Sequence, residues 1–382
     1  MWALAMTVSL AVSLFLLLAV PAMPSYKSNA AYKTQPNSTI NKGLQKTSEQ
    51  GLTKGLKENS AEQGSIIIMD AGDGSIRAAA SAANPEICKT RSLCKDAENL
   101  VFKDWQPGSV MKPLILAAAI NEGKVSPKST FYNTGTVKIG DRIIQNATYR
   151  SYGNVDMQEV INTSINTGAV YLLTQLGNGQ IDKIARDTWH KYLVDKYKFS
   201  QAKDLAGNME EPGYVRPSSG GTDLNFRYAG SSFGVGITVT PTRLTAAYAA
   251  LINGGTYHEP RISSSDKVTS ERIVSESTSV TMTKVLETAA AKGFDGKKLP
   301  NAYEFGGKTG TAPLPDGRGF YRRGNDSGTY IGFIHKGSKL YVVFVRLDAP
   351  VTKNFASYTA RTLWFDMVNK LAADDIFATA EM

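Results

Sequence analysis

Two strand–turn–strand patterns lie near opposite ends of this chain and enclose a long stretch of mostly helical sequence. The first begins at Ser65 and reads SIIIMD, AGDG, SIRAAAS; the second reads TYIGFIHK, GS, KLYVVFVRLD. β-Branched and aromatic runs joined by short turns are typical of hairpins. The pattern predicts an α/β (α+β) fold, in which an antiparallel sheet brings both ends of the ordered chain together. Helices would flank this sheet, and an all-helical subdomain would be inserted in it.

The stretch between the hairpins carries several helix signals. Thr240-Pro241 offers an N-cap and a first-turn proline, and Gly254-Gly255 offers a stop. Residues 280–291 and 357–371 also have helical patterns. We therefore predict helices at these three places.

The N-terminal segment indicates the compartment. No charged residue lies between Trp2 and Met23, and about 20 apolar residues can cross a bilayer as a helix. Residues 1–23 are therefore predicted to be a transmembrane or a cleaved signal segment, and either would carry the rest of the chain out of the cytoplasm. Lys27 and Lys33 follow the segment and no cation precedes it, which the positive-inside rule associates with the opposite orientation.

Composition divides the remainder into three parts. Residues 24–63 are polar and rich in Ser, Asn, Gln and Lys, so we predict a linker that buries no core. Residues 64–372 would form the ordered domain, and residues 373–382 a C-terminal tail.

The net charge is +9, but the lysines are scattered. Nucleic-acid binders usually concentrate basic residues with aromatics, so we expect no nucleic-acid partner. Two explanations of the basic charge fit the sequence equally well: attraction to anionic polymers or lipid headgroups, and a basic surface that is simply solvated. The three histidines lie far apart and lack metal-ligand spacing. Cys88 and Cys94 are the only cysteines; outside the cytoplasm they could close a small disulfide loop, or stay free.

A serine and a lysine three residues apart form the first candidate motif, Ser109-Val-Met-Lys112. At this spacing a helix places both side chains on one face, so the lysine could act as the base for a nucleophilic serine. Ser92, Ser200 and Ser264 also stand three residues before a lysine, but in polar, loop-like stretches. Ser109 precedes MKPLILAAAI, a buried-helix pattern, where free N–H groups favour developing negative charge. A plain helix cap would explain Ser109 equally well on its own.

Ser164-Ile-Asn166 lies between two helix-like stretches and could direct a hydroxyl and a carboxamide into one cleft. Tyr152-Gly-Asn154 is an alternative, but it lacks flanking helices. The third motif is Lys308-Thr-Gly310-Thr311 in FGGKTGTA. A phosphate loop would need glycine at Ala302 and a helix afterwards, so a Gly-rich edge strand is the better interpretation.

Together, the three motifs resemble the signature of penicillin-binding proteins and serine β-lactamases. GSIIIMD, FGVGITVTPTRLTAAYAALINGG and TYIGFIHKGSKLYVVFVRLDAP extend the similarity to class B penicillin-binding proteins over about residues 64–372. The resemblance implies a sheet of about five strands, and a peptidoglycan D,D-transpeptidase without a cofactor. One feature departs from the family, because a polar stretch of about forty residues stands where members usually carry a pedestal domain.

The resemblance also implies roles for individual residues. The expected catalytic residues are Ser109, Lys112, Ser164, Asn166 and Lys308, and the expected substrate-binding residues are Thr309, Gly310 and Thr311. Stem peptides ending in D-Ala-D-Ala, β-lactams and a membrane glycan polymerase are the implied partners. The catalytic domain would lie outside the cytoplasm on a single-pass anchor.

Other members of the superfamily offer alternatives. A class A β-lactamase would carry a Glu with an Asn four residues later, which Glu210-Glu211-Pro212 does not match. Class D enzymes usually have a hydrophobic residue where Asn166 stands. A β-lactam-sensing domain and a catalytically idle scaffold are further alternatives, and the intact motifs argue against the scaffold.

Overall fold

The computed structural model describes residues 37–379 apart from 89–93, 95–96, 206 and 317–320. Its helices are α1 (Lys42–Glu58), α2 (Pro85–Cys88), α3 (Lys112–Asn121), α4 (Met157–Asn162), α5 (Asn166–Gln175), α6 (Lys183–Lys191), α7 (Leu224–Ser231), α8 (Pro241–Ile252), α9 (Glu276–Gly293), α10 (Ala356–Ala373) and α11 (Ile376–Thr379). Its strands are β1 (Gln63–Asp70), β2 (Ile76–Ala83), β3 (Thr130–Asn133), β4 (Thr136–Ile139), β5 (Arg142–Gln145), β6 (Gly153–Asp156), β7 (Asp204–Leu205), β8 (Asn208–Met209), β9 (Thr256–His258), β10 (Ser270–Arg272), β11 (Glu304–Pro315), β12 (Tyr321–Lys336) and β13 (Lys339–Asp348).

A five-stranded antiparallel sheet in the order β11-β12-β13-β1-β2 forms the centre of the fold. Both predicted hairpins are present, as β1–β2 and β12–β13. The first and last strands of the sheet in chain order, β1 and β13, pair in the middle of the sheet, where Gln63 of β1 pairs with Asp348 of β13. This arrangement confirms the predicted sheet and leaves β11 at one edge.

Both faces of the sheet are buried, which explains why SIIIM is apolar without alternation. Ile67 and Met69 of β1 point into a core shared with α3, α5 and α8. Ile66 and Ile68 point into a second core, on the opposite face, formed with α1 and α10. The sheet therefore lies between two helical layers.

The three predicted helices are present as α8, α9 and α10, although α9 begins four residues before its predicted start at residue 280. The Thr240 side chain accepts a hydrogen bond from the backbone N–H of Arg243, and Pro241 opens α8 as expected. The region inserted between β2 and β11 is not all-helical, however. Within the described residues it also carries four two-stranded sheets, β3–β6, β4–β5, β7–β8 and β9–β10.

The prediction of a linker over residues 24–63 is wrong for its second half. Lys42–Glu58 form α1, and Leu44, Leu52 and Leu56 on one face of this helix are buried against the sheet and α10. Three leucines among polar residues are a sparse pattern, but small residues between them allow close packing. The side chain of Asn41 caps α1 by accepting from the N–H of Leu44.

The C-terminal tail is also partly ordered: α11 follows α10, and Phe377 is fully buried in the second core. The predicted membrane or signal segment, residues 1–23, lies outside the described residues. Among the helices that are described, none is long and apolar enough to span a bilayer. Cys88 and Cys94 form a disulfide, the first of the two alternatives that the sequence left open.

Candidate active site

Ser109 lies in a 3-10 turn, Gly108–Met111, that runs directly into α3. Because α3 is apolar on all sides, it is buried over its whole first two turns, and Lys112 at its start is completely inaccessible to solvent. The Lys112 Nζ atom lies 2.7 Å from Ser109 Oγ. The predicted pairing of a serine with a lysine one turn later is therefore present. Ser264, by contrast, lies on an exposed loop, and Ser92 falls outside the described residues.

The junction between α4 and α5 brings Ser164 and Asn166 to the same lysine. Lys112 Nζ lies 2.7 Å from the Ser164 carbonyl oxygen, 3.0 Å from Ser164 Oγ and 2.8 Å from Asn166 Oδ1. Ser164 has a φ of 59°, a left-handed conformation that costs a non-glycine residue conformational energy and is often found at functional sites. Tyr152, the alternative, lines the same cleft, but its hydroxyl contacts Thr148.

The third motif lies on the edge strand β11, as predicted. Lys308 is 3% exposed, and its Nζ atom lies 2.9 Å from Ser164 Oγ. The segment continues as a strand to Pro315, so it is not a phosphate loop. Thr309 and Thr311 lie beside Lys308 on β11 and line the same cleft.

Glycines allow β11 to approach the turn that carries Ser109. A β-carbon at Gly108, which has a φ of +65°, would lie 2.4 Å from the carbonyl oxygen of Thr311. One at Gly310 would lie 2.8 Å from a side-chain carbon of Val110. Real side chains essentially never come this close, so glycine at both positions is required for the observed contact.

Burial changes the ionisation of both lysines. Burial disfavours the charged form of the Lys112 amine and holds its pKa well below the usual value. The positive charge of the nearby Lys308 lowers the pKa of Lys112 further. Burial alone lowers the pKa of Lys308 to about 7. A neutral Lys112 amine beside Ser109 is therefore accessible near neutral pH, and such an amine can accept the serine proton.

These groups meet in a cleft with a volume of about 660 Å³. Lys112 lies beneath Ser109 and does not line this cleft. All the other expected site residues do: Ser109, Ser164, Asn166, Lys308, Thr309, Gly310 and Thr311. The arrangement provides a nucleophile, a base and a second hydroxyl that can move a proton, which are the groups needed for acyl transfer.

Sequence reasoning missed several residues of this cleft. Phe233 and Val235 line it from the loop that follows α7, and Gly108 N–H donates to the Gly234 carbonyl of that loop at 3.1 Å. Asn146 lines it from the segment after β5. No local spacing marks these residues, because only the fold brings them to the motifs.

The fold also gives His335 neighbours that sequence distance concealed. Its Nε2 atom lies 3.3 Å from Glu287 Oε1 and 3.1 Å from Glu304 Oε2. The hydrogen bond with Glu287 raises the pKa of His335. With the Glu304 side chain 71% exposed, the three groups form a surface ion-pair cluster near the start of β11.

Comparison with known proteins agrees with this geometry. The family described as "Penicillin binding protein transpeptidase domain" matches residues 64–366. A peptidoglycan D,D-transpeptidase FtsI homolog from Mesostigma viride is 26% identical over 364 residues, 84% of this chain and 58% of the relative. Stage V sporulation protein D from Bacillus subtilis (strain 168) is 31% identical over 265 residues, 65% of this chain and 39% of the relative.

The chain thus spans from about two fifths to three fifths of the length of these relatives. Among solved structures, the transpeptidase domain of Burkholderia pseudomallei penicillin-binding protein 3 superposes with a TM-score of 0.73 at 21% identity. The match covers 89% of this chain and 97% of that domain, which establishes the fold. Because the family match includes all but the first residue of the sheet and all three motifs, this chain belongs to the penicillin-binding protein transpeptidase domain family.

Proposed function

We propose that this chain is a serine-type peptidoglycan D,D-transpeptidase. It would cross-link stem peptides through an acyl-enzyme on Ser109, and β-lactams would acylate the same residue. The convergence of Ser109, Ser164 and Asn166 on one buried lysine carries the proposal. The names of the relatives, which include peptidoglycan D,D-transpeptidases, supply the substrate class.

In the first half-reaction, Ser109 Oγ attacks the carbonyl carbon of the bond between the two terminal D-Ala residues. The neutral amine of Lys112, 2.7 Å from that oxygen, takes the proton. The depressed pKa of Lys112 makes this possible at neutral pH, whereas a lysine with an ordinary pKa near 10.4 would be protonated. Asn166 Oδ1 holds the amine in place.

The leaving D-Ala nitrogen needs a proton before the bond breaks. Ser164 Oγ lies within hydrogen-bond distance of both lysine nitrogens, so it can give its proton to the leaving amine and regain one from Lys112. An acceptor amine from a neighbouring stem then attacks the Ser109 ester along the reverse path. The peptide is thereby joined to the acceptor and Ser109 is released.

Family similarity supplies the remaining roles. The backbone N–H groups of Ser109 and Thr311 would stabilise the tetrahedral oxyanion, and removing one such donor typically slows acyl transfer by ~10²–10³. Thr309, Gly310 and Thr311 would hold the terminal carboxylate of the donor peptide. The close contact between the Ser109 turn and β11 supports this assignment, since Ser109 lies on one side of that contact and Thr311 lies on the other.

The proposed location is outside the cytoplasm, on a single-pass membrane anchor. The Cys88–Cys94 disulfide supports an oxidising compartment, where such bonds persist. The proposed partners are peptidoglycan stem peptides ending in D-Ala-D-Ala, and a membrane glycan polymerase that supplies the glycan strand.

Fluorescent penicillin tests the proposal directly. The purified protein should become labelled in a 1:1 ratio, and peptide mapping should place the adduct on Ser109. The Ser109→Ala variant should fold and remain unlabelled. An adduct on Ser200 or Ser264, or a wild-type protein that is not labelled at all, would overturn the proposal.

A further inference from the structure

Helix α5, which carries Asn166 at its first position, has no cap of its own. The residue at its N-cap position is Ile165, whose side chain cannot accept a hydrogen bond. The N–H of Thr167 in the first turn instead donates to Oδ1 of Asn146, 21 residues earlier in the chain, at 3.2 Å. The side chain of Asn146, which belongs to another segment, therefore serves as the N-terminal cap of α5.

Asn146 belongs to a buried polar cluster beneath that helix start. Its Oδ1 also accepts from Thr167 Oγ1 at 3.1 Å, and its Nδ2 donates to Asn133 Oδ1 at 3.2 Å and to the Arg150 carbonyl at 2.9 Å. Asn133 in turn donates to Thr167 Oγ1. Asn146 and Asn133 are 2% and 0% exposed, so water cannot easily replace these hydrogen bonds.

The same segment also fixes the orientation of the Asn166 amide. Asn166 Nδ2 donates to the carbonyl oxygen of Gln145 at 3.0 Å, while its Oδ1 accepts from Lys112 at 2.8 Å. Because an amide has one donor end and one acceptor end, the Gln145 contact selects the rotamer in which oxygen faces Lys112. Asn146 follows Gln145 directly, so its side-chain contacts hold that carbonyl in register with α5.

We propose that Asn146 is a positioning residue for acyl transfer, acting through Asn166 on the Lys112 amine. The inference rests on the proposed function, in which Lys112 is the base. Asn146 itself has no role as an acid, base or ligand. It sets the start of α5, and thereby the place of Asn166 Oδ1 against Lys112. Errors of about 1 Å in such placements can slow catalysis by ~10²-fold.

The test compares rates of acylation by fluorescent penicillin, measured on the full chain. Asn146→Ala should lower the first-order acylation rate at least ~10-fold with little change in the penicillin concentration that gives half saturation. In an Asn166→Ala background the same substitution should change the rate by less than about twofold, since the group through which it acts is gone.

Asn84→Ala is the matched control. Asn84 is also a buried asparagine with side-chain hydrogen bonds to two backbone groups, but it lies at the end of β2 and does not line the cleft. Its loss should lower the melting temperature while leaving the acylation rate within about twofold of wild type.

Several outcomes would overturn the inference. One is a folded Asn146→Ala protein that is acylated within about twofold of the wild-type rate; another is an equal loss in both backgrounds. If Asn146→Ala does not fold, Thr167→Val provides the test instead. This substitution removes the hydrogen bonds of the Thr167 hydroxyl to Asn146 and Asn133 and keeps the side-chain volume. This variant should slow acylation at least threefold, and an unchanged rate would refute the role. Failure of the wild-type protein to label would count against the proposed function instead.

Discussion

The Oγ atom of Ser164 lies 2.9 Å from the Nζ atom of Lys308, although 144 residues separate them in the chain. Ser164 follows α4 in the inserted region, and Lys308 lies on the edge strand of the sheet. The contact therefore joins the two parts of the domain at the candidate site. Ser164 Oγ also lies 3.0 Å from Lys112 Nζ, so this contact places one hydroxyl between the two buried lysines.

Replacing Lys112 by arginine should nearly abolish acylation by penicillin. Arginine remains protonated at any usable pH, so it cannot accept the Ser109 proton. The expected loss in rate is ~10²–10⁴, the usual contribution of a general base. Stopped-flow or gel-based labelling would measure the rate, and circular dichroism would confirm that the variant folds. Acylation at close to the wild-type rate would contradict the role.

Removing the charge of Lys308 should shift the pH dependence of acylation. The rate should fall at low pH as the Lys112 amine gains a proton. Below about pH 7 Lys308 is mostly charged, and its charge opposes that proton. Lys308→Met should therefore raise the pKa of Lys112 and move the acidic limb of the rate profile to higher pH, besides lowering the rate.

Lys292→Gln serves as the control for this experiment. Lys292 also lines the cleft, but its side chain is 56% exposed and ion-paired with Glu159. Its removal should leave the pH profile in place, because solvent screens its charge. A Lys308→Met profile that is unmoved or moved to lower pH would refute the coupling between the two lysines.

Gly108→Ala should impair acylation far more than Gly123→Ala. Both glycines have left-handed backbones, with φ of +65° and +66°, so both substitutions carry similar conformational strain. Only at Gly108 would the new methyl group meet another atom, the Thr311 carbonyl oxygen at 2.4 Å; nothing lies within 4 Å at Gly123. We expect at least a ~10-fold slower acylation for Gly108→Ala, and a rate near wild type for Gly123→Ala. Equal effects would show that the close approach of β11 is unimportant.

The penicillin adduct should be long-lived. A β-lactamase must place a base and a water molecule against the ester, whereas a transpeptidase keeps the ester for an amine. Without general-base help, hydrolysis is slower by ~10²–10⁴, so the adduct should persist for minutes to hours. Intact-protein mass spectrometry after removal of free benzylpenicillin would follow its loss. Disappearance within seconds, with repeated turnover, would reassign the chain as a β-lactamase.

Leu52→Ala should destabilise the domain without changing its chemistry. Leu52 of α1 is 1% exposed and packs in the core shared with α10. Truncation of a buried leucine typically costs about 2–5 kcal/mol of unfolding free energy. Lys54→Ala, on the exposed side of the same helix, should cost little. Urea denaturation would measure both, and equal stabilities would mean that α1 is not part of the folded unit.

Local pattern was enough to predict the sheet strands, the boundaries of α8 and the three motifs. Each rests on neighbours in sequence: turn residues between β-branched runs, a threonine and proline at a helix start, or a serine one helical turn before a lysine. The edge position of β11 followed from its glycines. Lys112 itself was predictable because it stands one helical turn after Ser109, at the start of the buried-helix pattern MKPLILAAAI.

Other features depend on contacts that no local pattern encodes. Helix α1 was missed because its buried face needs only three leucines, and polar residues dominate its composition. The small sheets of the inserted region are strands of two to four residues, too short for periodicity to appear. Asn146 lies 21 residues before Thr167, whose N–H it caps, so its role becomes visible only once the chain has folded.

The pairing of β1 with β13 has a consequence for biogenesis. Residues 285 positions apart, Gln63 and Asp348, are partners in the middle of the sheet, so the central ladder has a high contact order. During synthesis, β1 and β2 emerge long before β13 exists to cover them. The nascent chain must therefore keep an apolar hairpin soluble until nearly the whole domain has been translated. A chain ending before β13 would have neither a closed core nor a reactive serine, which makes truncated products inert and prone to aggregation.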